Sequence, residues 1–212
     1  MAPPVTEIEA ARIARELYGI DSIARALPGE YDDNFHLKTP DGRAFVFKVM
    51  HAARERSFID MQCRALQHLA ERTPHLALPR VFPARSGAAF TPAILADGSE
   101  RIVWMLSFLP GIVLADARPH TQELLQSLGR LLGEMDQALV EFSHPAAQRG
   151  LKWDLARPGW IRDYLHCIAD STRRRIVEKF LDLYESAVVP VLPQLRRSAG
   201  RDHPQSVRAL DG

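Results

Sequence analysis

The stretch AFVFKVM, residues 44–50, decides the fold. Every second residue in it is large and apolar, which indicates a β-strand with one buried face. Residues 34–38 alternate in the same way, and Pro-Asp-Gly at residues 40–42 is a strong turn signal. Two alternating runs joined by a short turn predict a β-hairpin.

Helices are predicted on both sides of this hairpin. Upstream, Thr6 can cap a first helix, Glu9 can reach back to form a capping box, and Gly19 can end it. Downstream, residues 54–72 have apolar side chains at helical spacing. The inward positions are Phe58, Met61, Ala65, Leu66 and Leu69.

Further strands are predicted at residues 91–95 and 101–108, and another can start at residues 79–82. Together with the hairpin they give an antiparallel five-stranded sheet. Leu-Pro-Gly at residues 109–111 then breaks the β pattern.

From that point the chain is predicted to be helical, with helices at residues 121–142, 158–169 and 171–189. Strands followed only by helices indicate an α+β fold with two lobes. We therefore predict three segments: a mixed first lobe, a partial helical second lobe and an irregular tail. Their bounds are 1–110, 111–195 and 196–212.

Composition, charge and residue spacing limit the classes of function that fit this chain. The chain is 46% hydrophobic and 25% charged with a net charge of +1. No basic run suggests nucleic-acid binding, and no apolar run is long enough for a membrane span. The eight histidines show no metal-ligand spacing. Cys63 and Cys167 are expected to pack as small buried side chains rather than to form a disulfide. We expect a cytoplasmic protein.

Lys48 is the first candidate functional residue. It lies in a strand whose other positions are apolar. Such a lysine either extends to water at the strand end or meets an anion. Gln62, on the apolar stripe of the following helix, could accept a hydrogen bond from it, or else contact only backbone or water. Glu55 is a second candidate partner.

The stretch MLSFLPG, residues 105–111, is another candidate functional segment. A strand that ends in Leu-Pro-Gly is suited to an extended connector between lobes. An extended connector exposes backbone donors and acceptors that can bind the edge of a purine base. An ordinary junction between a strand and a turn would have the same pattern.

The order and spacing of four stretches resemble the aminoglycoside phosphotransferase/choline kinase superfamily, which has a protein-kinase-like fold. The stretches are residues 34–37, 45–48, 60–69 and 106–111. The resemblance spans roughly residues 15–195.

Within the superfamily the chain is most similar to the hydroxylysine-kinase-like branch. Gln62, where most kinases have glutamate, carries that likeness. So do Leu-Gly at residues 128–129, His-Pro-Ala-Ala at residues 144–147 and Trp-Asp-Leu at residues 153–155.

The resemblance implies that Lys48 holds nucleotide phosphates and that Gln62 orients it. It implies that the loop around residues 29–34 covers the phosphates and that the connector backbone receives the base. The expected cofactor is ATP or GTP with Mg²⁺, and the expected acceptor is a small metabolite with hydroxyl and amine groups, such as hydroxylysine. The candidate nucleotide-binding residues are Lys48, Gln62, Ser107, Phe108, Leu109 and Asn34.

The family's catalytic loop, His-x-Asp-x-x-x-x-Asn, and its later metal-binding aspartate have no counterpart in these residues. Asn34 is the only asparagine. We therefore expect a chain truncated or changed in frame before the catalytic loop, catalytically inactive, with an incomplete second lobe whose exposed surface favours association. The alternatives are a non-catalytic pseudokinase-like module for nucleotide or protein binding, and an unrelated α+β protein.

Overall fold

The computed structural model describes residues 4–147 and 154–194. These form two compact units, Met1–Ala146 and Ala147–Gly212. The predicted boundary between lobes near residue 111 stays a prediction. The first unit contains, in chain order, α1 (Glu7–Tyr18), β1 (Ile23–Leu27), β2 (Asp33–Lys38), β3 (Ala44–Val49), α2 (Arg56–Arg72), β4 (Val81–Phe82), β5 (Phe90–Ile94), β6 (Glu100–Ser107) and α3 (Gln122–Ala138).

All strand pairs are antiparallel, in the order β1-β2-β3-β6-β4, and β5 also pairs with β6. The predicted hairpin is confirmed as β2 and β3. The sheet has six strands instead of the predicted five, because residues 23–27 also form a strand. Only Ala24 is buried in that strand, so its apolar alternation is too weak to stand out in the sequence.

The two faces of the sheet pack against different helices. Phe35, Phe47 and Val49 lie fully or nearly buried in a core that includes residues of α1. Trp104 and Met50 lie on the other face, against residues of α2. Because side chains alternate along β3, Lys48 points away from the α1 core and lies on the face that α2 shares.

The start of α1 forms half of the predicted capping box. Thr6 Oγ1 accepts a hydrogen bond from Glu9 N at 3.2 Å, and Gly19 ends the helix with a φ of 71°. The Glu9 carboxylate does not return to the cap; it accepts a hydrogen bond from the backbone N–H of Ala96. The helix is thereby tied to the turn between β5 and β6.

Between residues 138 and 171 the described backbone forms 3₁₀ turns and loops instead of regular α-helix. Residues Leu139–Glu141 and Pro145–Ala147 form 3₁₀ turns. In the second unit, the predicted helix at residues 158–169 is a 3₁₀ helix, Pro158–Cys167, and α4 (Ser171–Leu183) continues into a π-helical turn, Tyr184–Val188. The unit ends, among described residues, in the 3₁₀ turn Leu192–Gln194.

Both cysteines are free thiols. Cys63 is buried as predicted, whereas the prediction for Cys167 is wrong, because its side chain is exposed at the end of the 3₁₀ helix. None of the helices in residues 4–147 and 154–194 combines the length and apolarity needed to cross a membrane. The predicted tail, residues 196–212, and Trp153 lie outside the described residues.

Candidate nucleotide-binding site

Lys48 lies at the centre of the candidate site. Its neighbours across the sheet are Asn34 in β2 and Trp104 in β6. The Lys48 Nζ donates a hydrogen bond to Oδ1 of Asn34 at 2.6 Å. An ammonium group has three donors, so one neutral acceptor among the described residues leaves it able to bind an anion.

Burial lowers the pKa of Lys48, and Arg54 lowers it further, while the Asp32 carboxylate raises it in part. Burial disfavours a charged group, and an anion close to it restores the charged form. The surroundings of Lys48 therefore favour binding of a negatively charged ligand at the ammonium group.

Asn34 connects Lys48 to the loop between β1 and β2. Its Nδ2 donates to the backbone carbonyls of Asp32, at 3.1 Å, and Pro28, at 3.5 Å. A Cβ on Gly29 would clash with the Asp32 carbonyl oxygen and with Asn34 Nδ2. The loop is thus folded closely around the Asn34 amide, and this position requires glycine because of the close approach.

The Asp32 side chain fixes the other side of this loop. Its Oδ1 accepts hydrogen bonds from His51 N at 2.8 Å and from Arg54 Nε at 3.2 Å, and its Oδ2 accepts from Arg54 Nη2 at 3.2 Å. The Arg54 guanidinium lies over the rings of Tyr31, at 5.4 Å, and Phe58, at 5.7 Å. Sequence reasoning missed both members of this ion pair.

Gln62 does not form the predicted hydrogen bond with Lys48 among the described residues. Its Nε2 is buried on α2 without a hydrogen-bond partner there. Glu55, the second candidate, precedes α2 and accepts from Ser57 Oγ at 3.4 Å. Asn34 takes the position at the ammonium because it lies directly opposite Lys48 in the hairpin. The role of Gln62 in nucleotide binding stays a prediction.

In the connector after β6, some backbone groups already form hydrogen bonds within the chain. Ser107 N donates to Arg80 O at 2.8 Å, and Ser107 Oγ accepts from Arg80 N at 2.8 Å. Phe108 N donates to Ala44 O at 3.1 Å. Leu109 N–H makes no hydrogen bond within the described residues, so it is available to bind a base. The Phe108 ring meets the His36 ring edge-on at 4.5 Å.

A cavity of about 840 Å³ lies beside β1 and β2. His36 and Lys38 line it, and both share a face of β2 with Asn34. Lys48 and the cavity therefore lie along one face of the hairpin. Its other lining residues are Asp21, Ser22, Ile23, Arg25, Thr39 and Pro40.

No three carboxylate, histidine or cysteine side chains meet in a metal-binding group in residues 4–147 and 154–194. Asp154, from the Trp-Asp-Leu motif, accepts a hydrogen bond from Ala156 N at 2.9 Å.

Comparison with known proteins agrees with this architecture. Hydroxylysine kinase of Danio rerio is 25% identical over 204 residues, covering 92% of this chain and 57% of that protein. The Xenopus laevis hydroxylysine kinase is 27% identical over 211 residues, covering 92% of this chain and 56% of that protein. The chain therefore spans a little more than half the length of these curated relatives.

Two solved structures share the fold. The amicoumacin kinase hAmiN, solved with AMP-PNP, Ca²⁺ and Ami, superposes with a TM-score of 0.60 at 16% identity, covering 88% of this chain and 53% of that one. A microcompartment-associated aminopropanol kinase superposes with a TM-score of 0.54 at 20% identity, covering 78% of this chain and 48% of that one.

The family model of the phosphotransferase enzyme family (APH) matches residues 23–198, from the first strand of the sheet to beyond α4. That span includes the hairpin, α2 and the connector described above. The chain belongs to the phosphotransferase enzyme family.

Proposed function

We propose that this chain is the nucleotide-binding part of a small-molecule kinase that uses ATP or GTP with Mg²⁺. The acceptor is a small metabolite with hydroxyl and amine groups, of the hydroxylysine type. The observation that carries the proposal is Lys48, a half-buried cation with only a neutral amide as its hydrogen-bond partner among the described residues. The similarity to hydroxylysine kinases supports the acceptor class.

In this proposal the phosphates lie against the Lys48 ammonium, beside the loop at residues 28–32. The base lies toward Phe108 and Leu109, where the Leu109 N–H is available as a donor. From Asn34 to His36, β2 extends by roughly 7 Å at the usual rise of a strand. That length suits a nucleotide lying along the hairpin with its base near His36.

We further propose that residues 1–212 alone bind nucleotide without transferring phosphate. Phosphoryl transfer of this type needs a base for the attacking hydroxyl and side chains that hold Mg²⁺. Asn34, the only asparagine, is bonded to Lys48 and to the loop backbone. Such catalytic groups contribute roughly 10²–10⁴ each to the rate, so binding survives their absence better than turnover. A binding module without catalysis is therefore the second candidate.

Thermal-shift measurements with ATP and GTP, each with and without Mg²⁺, test the binding. We expect stabilisation by nucleotide that is lost in Lys48→Ala and kept in the control Lys179→Ala, an exposed lysine on α4. An assay of phosphate transfer to hydroxylysine then separates the two candidates. The absence of any shift, with wild-type protein and either nucleotide, would contradict the proposal.

A further inference from the structure

The ion pair between Asp32 and Arg54 is built differently from the exposed ion pair in the hairpin turn. The Asp32 side chain is 13% exposed and the Arg54 side chain 28%, whereas Asp41 and Arg43 in the hairpin turn are 58% and 57% exposed. Both Asp32 oxygens accept from Arg54, which is a geometry that fixes orientation as well as distance. A partly buried, two-contact pair of this kind can hold a loop in place.

The pair joins two segments whose paired residues are 22 positions apart in the sequence. Asp32 ends the loop between β1 and β2, and Arg54 lies just before α2. Asp32 Oδ1 also accepts from His51 N, in the segment that leads from β3 to α2. The Tyr31 ring, from the same loop, lies under the Arg54 guanidinium. These contacts hold the loop against the start of α2.

The same loop positions the lysine. The backbone carbonyl of Asp32 accepts from Asn34 Nδ2, and Asn34 Oδ1 accepts from Lys48 Nζ. Each bond orients the next group, so a displacement of Asp32 would turn the Asn34 amide and move the ammonium. Arg54 itself is occupied by the carboxylate, which makes it a poor direct ligand for phosphate.

We propose that Asp32 and Arg54 are positioning residues whose ion pair holds the loop at residues 28–32 and, through Asn34, sets the Lys48 ammonium for nucleotide phosphate. This inference rests on the proposed nucleotide-binding function. In this inference, nucleotide affinity depends on Asp32 and Arg54 although neither residue contacts the nucleotide.

Nucleotide dissociation constants of Asp32→Asn, Arg54→Gln and the double variant test the inference, with ATP and Mg²⁺ as the probe. We expect each single variant to bind about tenfold more weakly, and the double variant to bind no more weakly than either. Non-additivity follows because both changes remove the same ion pair. Asp41→Asn, which breaks the exposed pair in the turn, should bind as the wild type does.

Amide hydrogen exchange of residues 28–34 without nucleotide provides a second readout. Exchange should become faster in Asp32→Asn and Arg54→Gln, and stay unchanged in Asp41→Asn. If wild type binds nucleotide and Lys48→Ala does not, but both single variants keep wild-type affinity, the positioning role is overturned while the function stands. If the wild type binds no nucleotide, the proposed function is contradicted. Unchanged hydrogen exchange in the variants would then also contradict the role of the ion pair in holding the loop at residues 28–32.

Discussion

Lys48 and Asn34 face each other across the hairpin, with Nζ and Oδ1 2.6 Å apart. An amide oxygen carries no charge, so it satisfies one donor of the ammonium without neutralising it. A carboxylate at the same place would neutralise the ammonium and compete with an anionic ligand. This pairing is the structural basis for the predictions on the lysine and its partner.

Lys48→Met should leave the protein at least as stable as the wild type at neutral pH, and more stable by up to about 1 kcal/mol. Burial lowers the pKa of Lys48, so the folded state binds the proton less tightly than the unfolded state. The free energy of unfolding of the wild type therefore increases as pH rises from the lowered pKa to the ordinary lysine pKa. Over the same pH range, the greater stability of Lys48→Met disappears. Denaturant unfolding at pH 7 and pH 10 measures this; a variant clearly less stable at pH 7 would contradict it.

Asn34→Asp should raise the pKa of Lys48, because a carboxylate beside the ammonium favours its charged form. Nucleotide binding should fall by about tenfold or more, since the new carboxylate repels phosphate and the Nδ2 bonds to the loop are lost. Calorimetric titration with nucleotide measures the loss. Unchanged affinity would show that phosphate does not approach this pair.

Gly29→Ala should destabilise the fold by about 1–3 kcal/mol, because its Cβ would clash with the Asp32 carbonyl oxygen and with Asn34 Nδ2. Gly133→Ala is the matched control. Gly133 lies inside α3, and beyond the adjacent backbone of that helix no described atom lies within 4 Å of the added Cβ, so this change should stabilise by about 0.5–1 kcal/mol. Chemical denaturation of both variants measures the difference, and a stable Gly29→Ala would mean that the loop takes another path.

The two thiols should differ sharply in reactivity. Burial raises the pKa of Cys63 to about 12, with a further increase from Asp60, so Cys63 remains a protonated, inaccessible thiol at pH 8. Cys167 is exposed and should react at once with a thiol reagent such as DTNB. Cys167→Ser should leave only a slow phase that accelerates with denaturant. Two equally fast phases in the wild type would contradict the burial of Cys63.

Asp60 should contribute to stability at neutral pH. Burial raises its pKa, but hydrogen bonds from His144 and Arg64 outweigh that effect and lower the pKa below its ordinary value. The contribution is present above the ordinary aspartate pKa and is lost as pH falls through the lowered one. Asp60→Asn should cost up to about 1 kcal/mol at pH 7 and nothing in strong acid. Asp136→Asn, exposed on α3, should show no such difference.

The fold was predictable where apolar alternation is strong, as in β3, whose buried positions are Phe45, Phe47 and Val49. It was not predictable for β1, where Ala24 alone is buried and the strand depends on pairing with β2. The regularity of the 3₁₀ segment Pro158–Cys167 was also overestimated, because apolar spacing does not separate it from an α-helix.

The candidate site was also predictable only in part. Lys48 stands out as a cation among apolar residues, but its partner in the structure is Asn34 and not Gln62. The hairpin register pairs Lys38 with Ala44, and the same register places Asn34 opposite Lys48. The position of the turn in the sequence could therefore have identified Asn34 as the partner. The contact between Asp32 and Arg54 depends on the path of two loops, which local sequence patterns do not determine.

Isothermal titration calorimetry of ATP and GTP with Mg²⁺ into wild type and Lys48→Met tests the central claim most directly. We predict a measurable dissociation constant for wild type with at least one nucleotide, and binding at least tenfold weaker in Lys48→Met, with no loss of thermal stability. Equal affinity in the two proteins, or no binding by a folded wild type, would contradict the assignment of Lys48 as the phosphate-binding residue.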